Sequence, residues 1–253
     1  MDNSLSIRFL GCLYDIELKL KKHYYFEQSG LSWSINRLFS FYYRIVSVYN
    51  PKAVQYGSRD FLDVDLESYI IRHRIILNDV GYILWQLLAL FSVDIGIKPR
   101  GPSHPRNNEL SFFKFAKKLH ANTNPKLDKL RTAVANGVAK FSPLKDQRDN
   151  IAHYKSAILI FGEGPDYEFA TMNPAGTMPT VSEGATTKLV TRKVFNFTNE
   201  QQSFLWDWMN GELTDAIIDF CNNSGLSLSS AGLDVQLKGG AAIALFKQIN
   251  NLK

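Results

Sequence analysis

Apolar residues recur every three or four positions through most of the first 155 residues, the spacing of helices that bury one face. From Leu5 to Glu27 the apolar positions Ile7, Leu10, Leu13, Tyr14 and Leu18 form one stripe. Lys19, Lys21 and Lys22 close that segment with cations that suit the negative end of a helix dipole, and Ser29-Gly30 stops it. A second helix is predicted over Trp33 to Tyr49, closed by Asn50-Pro51 because the residue before proline avoids the α region. The longest stripe predicts a third helix from Asp63 to Phe91, burying Leu66, Ile70, Leu77, Val80, Leu84, Leu87 and Phe91. Asp60, Asp63, Asp65 and Glu67 gather at its start, where a solvated acidic first turn opposes the positive dipole end. A rod of this length spans roughly 40 Å and serves as the spine of a bundle. Gly81 is its weak point.

Asp94 to Asn108 reads as a loop, with Pro99, Gly101, Pro102 and Pro105 among Lys98, Arg100, His104 and Arg106. It is either a solvated connection or a basic finger that touches phosphates. A short helix follows at Glu109 to His120, then one from Pro125 to about Phe141. Ser142-Pro143 is expected to end that helix and start the next, with serine as cap and proline in the first turn. Beyond Lys155 the period changes. Ala157 to Phe161, Tyr167 to Ala170 and Leu189 to Phe195 read as strands, with Asn173 to Thr187 as a long flexible loop. Thr198-Asn199-Glu200 is expected to cap a last long helix through about Asn222. The fold class is therefore mainly α: a helical bundle with a small antiparallel β insertion, about 156–197, before the last long helix. Residues 1–224 make one domain, and the Ser- and Gly-rich tail 225–253 is loosely packed apart from a short helix near Ala241 to Ile249.

Composition narrows this only modestly. With 45% hydrophobic and 13% aromatic residues, the chain has enough apolar surface to bury a core, which excludes a disordered chain. A net charge of +5 over 253 residues leans toward anionic partners but falls short of a dedicated nucleic-acid-coating protein. Cys12 and Cys221 are too few and too far apart for a disulfide framework or a zinc cluster. Two reduced thiols in a cytoplasmic protein are the expected state, with a single disulfide the alternative. The start of the chain lacks a basic, apolar secretory pattern, and the stretch Val80 to Val93 is too short and too interrupted to cross a bilayer, so no membrane association is expected.

Candidate chemistry is sparse. A phosphate-cradling Gly-rich loop with Lys-Ser/Thr, a His-Glu-x-x-His helix, a Gly-x-Ser-x-Gly elbow and a dinucleotide fingerprint are all missing. His23 and His120 sit beside lysines, and His73 lies between Arg72 and Arg74. Arg148 and His153 remain. An arginine forks onto phosphate oxygens, and a histidine trades protons near neutrality, which together suffice for RNA cleavage without metal or cofactor. On one helix the two positions lie about 140° apart, so the pair needs a long arginine that swings back or a second chain. The bland alternative pairs Arg148 with a carboxylate and leaves His153 on an exposed face of a plain helical scaffold.

The segment Arg148-Asp149-Asn150-Ile151-Ala152-His153 resembles the signature of the HEPN superfamily: an arginine, a polar residue, then a histidine four to six residues after the arginine, on a late helix of a helical bundle. Leu66 to Asp79 also looks like the preceding core helix of bacterial members. The resemblance covers about Phe61 to His153 plus the final helix. It implies a metal-independent endoribonuclease, a toxin or antiphage defence effector, that dimerises to form its cleft, with Arg148 and His153 as the catalytic pair. Asp149 holds the polar position, and Asn150, Asn78 and Asp79 are supporting candidates; Arg100, Arg106 and Lys155 are candidate RNA contacts. Some toxin members place a tyrosine two residues after the histidine; here Lys155 stands there and Tyr154 precedes it. The expected partners are RNA, a second copy of the chain, and an antitoxin or regulatory protein. Members that have lost cleavage serve as nucleotide- or protein-binding modules, which is the alternative reading.

Overall fold

The computed structural model describes residues 4–21, 28–48, 61–97, 110–154, 158–162, 166–171, 177, 180–183, 186–229, 235–238 and 240–252, with 28, 29, 48, 146, 148–150, 152–154, 182, 183 and 186–188 described by their backbone. The chain is mainly helical with small antiparallel sheets. Strand β1 (Ser4–Ser6) precedes α1 (Arg8–Leu20), so the first predicted helix begins later than Leu5. It ends at Lys21, whose left-handed φ of 48° lets its N–H reach the Leu18 carbonyl at 3.2 Å. Ser29 and Gly30 are not a stop signal: they belong to the first turn of α2 (Gln28–Tyr43), which runs on through a π-helical turn, Arg44–Val48.

The spine is α3 (Leu62–Leu90), one unbroken helix as its stripe predicts. Gly81 sits where the helix needs it. A Cβ there would lie 3.1 Å from the Cα of Phe112, at the start of α4 (Phe112–His120). The glycine's helix penalty of about 1 kcal/mol therefore permits close approach of two helices. The acidic start of α3 is only partly solvated. Asp65 is buried, its carboxylate 2.6 Å from the guanidinium of Arg44, and Glu67 Oε1 accepts the Ile158 N–H at 3.2 Å. Ser111 caps α4 by accepting the Lys114 N–H at 3.2 Å.

Helix α5 (Asp128–Tyr154) passes straight through Pro143, so the expected restart at Ser142-Pro143 does not occur. Proline inside a helix forfeits one hydrogen bond. Phe141 and Leu144, buried on either side, supply the packing that holds the helix through it. After α5 come β2 (Ile158–Phe161), β3 (Glu168–Thr171), β4 (Thr180–Glu183), β5 (Thr186–Leu189) and β6 (Arg192–Lys193). The first two and β6 form one antiparallel sheet, with Ile158 opposite Thr171 and Glu168 opposite Lys193. Strands β4 and β5 form a hairpin, Thr180 opposite Leu189, so part of the expected loop 173–187 is ordered. The β-branched residues Thr180, Val181, Thr186 and Thr187 favour extended pairing there.

Helix α6 (Val194–Trp208) starts four residues before the expected cap. Val194 and Phe197 are buried at helical spacing, which overrides the β-branched run leading into them. A π-turn, Met209–Leu213, joins it to α7 (Thr214–Asn223). The tail is packed. Strand β7 (Gln236–Lys238) pairs antiparallel with β1, Leu5 opposite Leu237, and α8 (Gly240–Ile249) buries Ile243 and Phe246. Phe246 meets Phe39 and Tyr42 edge-on at 5.2 and 5.7 Å. At the opposite part of the core Trp208 lies between Phe112 and Phe141, both at 5.6 Å, and its Nε1 donates to the Ala133 carbonyl at 2.8 Å.

Candidate functional site

The last two turns of α5 carry the backbone of Arg148, Asp149, Asn150 and His153. Leu144 and Gln147 are buried and Ile151 packs against the core, which defines the inward side of this stretch. Four residues advance a helix by about 400°, so position 148 lies about 40° from position 144. Position 153, nine residues on, lies about 180° away. The two candidate catalytic positions therefore share a helix end but not a helix face. Positions 149 and 150 lie about 40° and 60° from position 153, so both fall on its side of the helix and not on that of position 148.

The supporting candidates on α3 lie elsewhere. Helices α3 and α5 run antiparallel: the rings of His73 and Phe141 are 6.3 Å apart, and Glu67 meets Ile158 just beyond the end of α5. Asn78 is five residues past His73 in one direction, and Arg148 is seven past Phe141 in the other. At 1.5 Å per residue they are separated by roughly 18 Å along the bundle. Asn78 has a structural task, since its Oδ1 accepts the Phe112 N–H at 3.1 Å and satisfies a donor at the start of α4. Asp79 is half-buried beside it and is likewise engaged. Arg100, Arg106 and Lys155 lie outside the described residues, as do Lys98 and His104 of the basic loop and His23.

A buried polar layer was hidden in the stripe of α3. His73 falls between Ile70 and Leu77 at three and four residues, a spacing that marks it as a core position. It is fully buried, its ring 4.5 Å from that of Tyr69 and its Nε2 3.4 Å from the Gln201 carbonyl. Burial pushes its pKa down to about 4, against the opposing pull of hydrogen bonding to backbone at Gln201 and Tyr69, so the ring is neutral at pH 7. The Tyr69 hydroxyl donates to the Thr198 carbonyl at 2.9 Å, with Gln202 Oε1 at 3.3 Å. Arg74 is mostly buried, with its guanidinium 4.6 Å from the centroid of Phe113. Gln147, which precedes Arg148, and Gln201 are buried too, and their Oε1 atoms meet no donor among the described residues. This layer ties α3 to α6 beside the helix that carries the motif.

Cys12 and Cys221 are free and buried, and burial holds the Cys12 thiol up at about 12, so it is not a nucleophile at neutral pH. Among the described residues no three His, Cys, Asp or Glu side chains are grouped so as to hold a metal ion, and no helix is long and apolar enough to cross a membrane. Neither a protein-family model nor a curated protein nor a solved structure matches the chain, so function rests on its own residues.

Proposed function

We propose that the chain is a metal-independent endoribonuclease of HEPN type, acting as a homodimer, with Arg148 and His153 as the catalytic pair. What supports this reading is that both positions fall on the final two turns of one late helix in a mainly helical bundle. In the proposed step the 2′-oxygen attacks phosphorus and the bond to the 5′-oxygen breaks. One proton leaves the 2′-hydroxyl and one reaches the departing 5′-oxygen; His153 handles this exchange. Arg148 offsets the charge that builds on the phosphorane oxygens. Asp149 and Asn150 orient the pair or the ribose, and the basic residues Arg100, Arg106 and Lys155 contribute phosphate contacts.

The splay of about 140° is the reason for the second copy. Two chains related by a twofold axis bring two arginines and two histidines to one cleft, so a position facing away from its own partner can meet that of the other chain. A role as a toxin or antiphage effector, held in check by an antitoxin or regulatory protein, belongs to the same proposal. The test is the product: RNA cut in the presence of a chelator should end in a 2′,3′-cyclic phosphate. Ends bearing a 3′-hydroxyl, or cleavage that stops in chelator, would refute this chemistry. A chain that binds nucleotide or a partner protein and leaves RNA intact would instead be a non-catalytic binding module.

A further inference from the structure

We propose that the outer face of α2, completed by Arg72 of α3, docks unpaired RNA, with Trp33 as a base-stacking platform and Arg37 and Arg72 as phosphate contacts. This rests on the ribonuclease reading and deepens it by naming a substrate-holding surface on helices other than the one that carries the cleavage motif. The starting observation is Trp33, which is 57% exposed whereas Trp85, Trp206 and Trp208 are half-buried or buried. Of the four tryptophans it alone keeps most of its ring surface open to a ligand.

Its surroundings are cationic and aromatic in alternation. The Arg72 guanidinium lies 4.9 Å from the Trp33 ring centroid, and those of Arg37 and Arg44 lie 5.8 and 6.0 Å from Phe41. Positions 33, 37 and 41 follow at four residues each, so they line one face of α2, and Arg44 at the start of the π-helical turn extends the row to roughly 16 Å. That helix contains no acidic residue. Of the acids at the start of α3, Asp65 is buried beneath Arg44 and balances that one cation. Asp63 and Glu67 lie about 180° and 140° around α3 from Arg72 and are turned from this face. Among the described residues Arg37 and Arg72 make no ion pair, so two cations beside an open aromatic ring remain for a ligand.

That combination matches single-stranded nucleic acid, whose bases stack on aromatic rings while its phosphates meet arginine. A second copy of the chain fits poorly, because a twofold contact through this face would set Arg37 and Arg72 against themselves. A duplex fits poorly as well, since its bases are already stacked and cannot reach the ring.

The test is fluorescence anisotropy of a labelled oligouridylate against the full chain carrying His153→Ala, so that cleavage does not consume the probe. Trp33→Ala should weaken binding roughly 5- to 150-fold, the usual loss of one stacked base, while Trp33→Phe keeps most of it. Arg37→Ala and Arg72→Ala should each flatten the slope of log affinity against log salt by about 0.7. Lys117→Ala, on the exposed side of α4, serves as a control and should change binding little. Binding unchanged by all three α2 and α3 substitutions, or weakened equally by Lys117→Ala, would overturn the proposal, as would a face that takes anionic vesicles or protein and no RNA. The two readings separate cleanly. Docking variants that weaken binding in a chain whose wild type never cuts RNA would sustain the surface and refute the nuclease, whereas cutting with no dependence on these residues would do the reverse.

Discussion

His73 makes the stability of this fold depend on pH in a calculable way. Its folded pKa is about 4, while an unfolded imidazole titrates near 6.5. Between those values the unfolded chain binds a proton that the folded chain refuses, so stability rises with pH across that window. The contribution of the neutral ring is fully present above about pH 6.5, is lost as pH falls, and is exhausted below about pH 4. A shift of this size corresponds to about 3 kcal/mol in all, of which about 2 kcal/mol disappears between pH 7 and pH 5. Because the ring is fully buried, solvent screening does not discount the figure. Its neighbours are Tyr69, Phe141 and the Gln201 carbonyl, none of which carries a charge near neutrality. The perturbation is His73→Gln, which keeps a polar side chain of similar size and removes the titration. Urea unfolding of both proteins at pH 7 and pH 5 isolates the effect, since the other titrating groups cancel in the difference. The variant should be less stable at pH 7, yet lose about 2 kcal/mol less than wild type on acidification. Parallel losses in the two proteins would show that His73 is not held neutral in the core, and the buried polar layer would need another description.

Other expectations follow from packing. Gly137→Ala should cost about 1–2 kcal/mol despite alanine's better helix propensity, because its Cβ would lie 2.7 Å from Cζ2 of the hydrogen-bonded Trp208; thermal melts check this, and a stabilised variant would contradict it. Phe246→Ala should cost about 3–5 kcal/mol in chemical unfolding, as for any large buried ring, whereas a loss well below 1 kcal/mol would mean that α8 is peripheral. Light scattering at micromolar concentration should give twice the chain mass, and a monomer mass would remove the assembly on which the splayed pair depends.

The spine α3 was legible because its burial repeats over 29 residues and outweighs the one glycine at 81. Even His73 and Asp65, polar by type, follow its stripe inward. What escaped was non-local. Strand β1 has three residues and acquires its conformation from β7, 230 or more positions away, so no local pattern announces either. Pro143 carries a strong local stop signal that the packing of Phe141 and Leu144 overrules, and Val194 opens a helix from a sequence that reads as strand. The candidate motif was legible as residue types and as a helix, because both are local properties. Its relation to Asn78 and Asp79 was not, since the antiparallel packing of α3 on α5 sets that separation. Trp33 and its arginines went unnoticed for a similar reason: sequence spacing places them on one face, but only packing reveals which face stays open.

The most direct test of the proposed activity is the rate at which purified protein cuts a labelled RNA in chelator, measured beside His153→Ala and Arg148→Ala. The account predicts cleavage by wild type and a loss of about 10²–10⁴ in rate for His153→Ala, the share of a positioned acid or base. Arg148→Ala should lose both rate and RNA affinity, and Arg148→Lys should restore little, because an ammonium cannot reproduce the fork. Wild-type protein that leaves a broad panel of RNAs intact, or a His153→Ala variant that cuts as fast as wild type, would contradict the account.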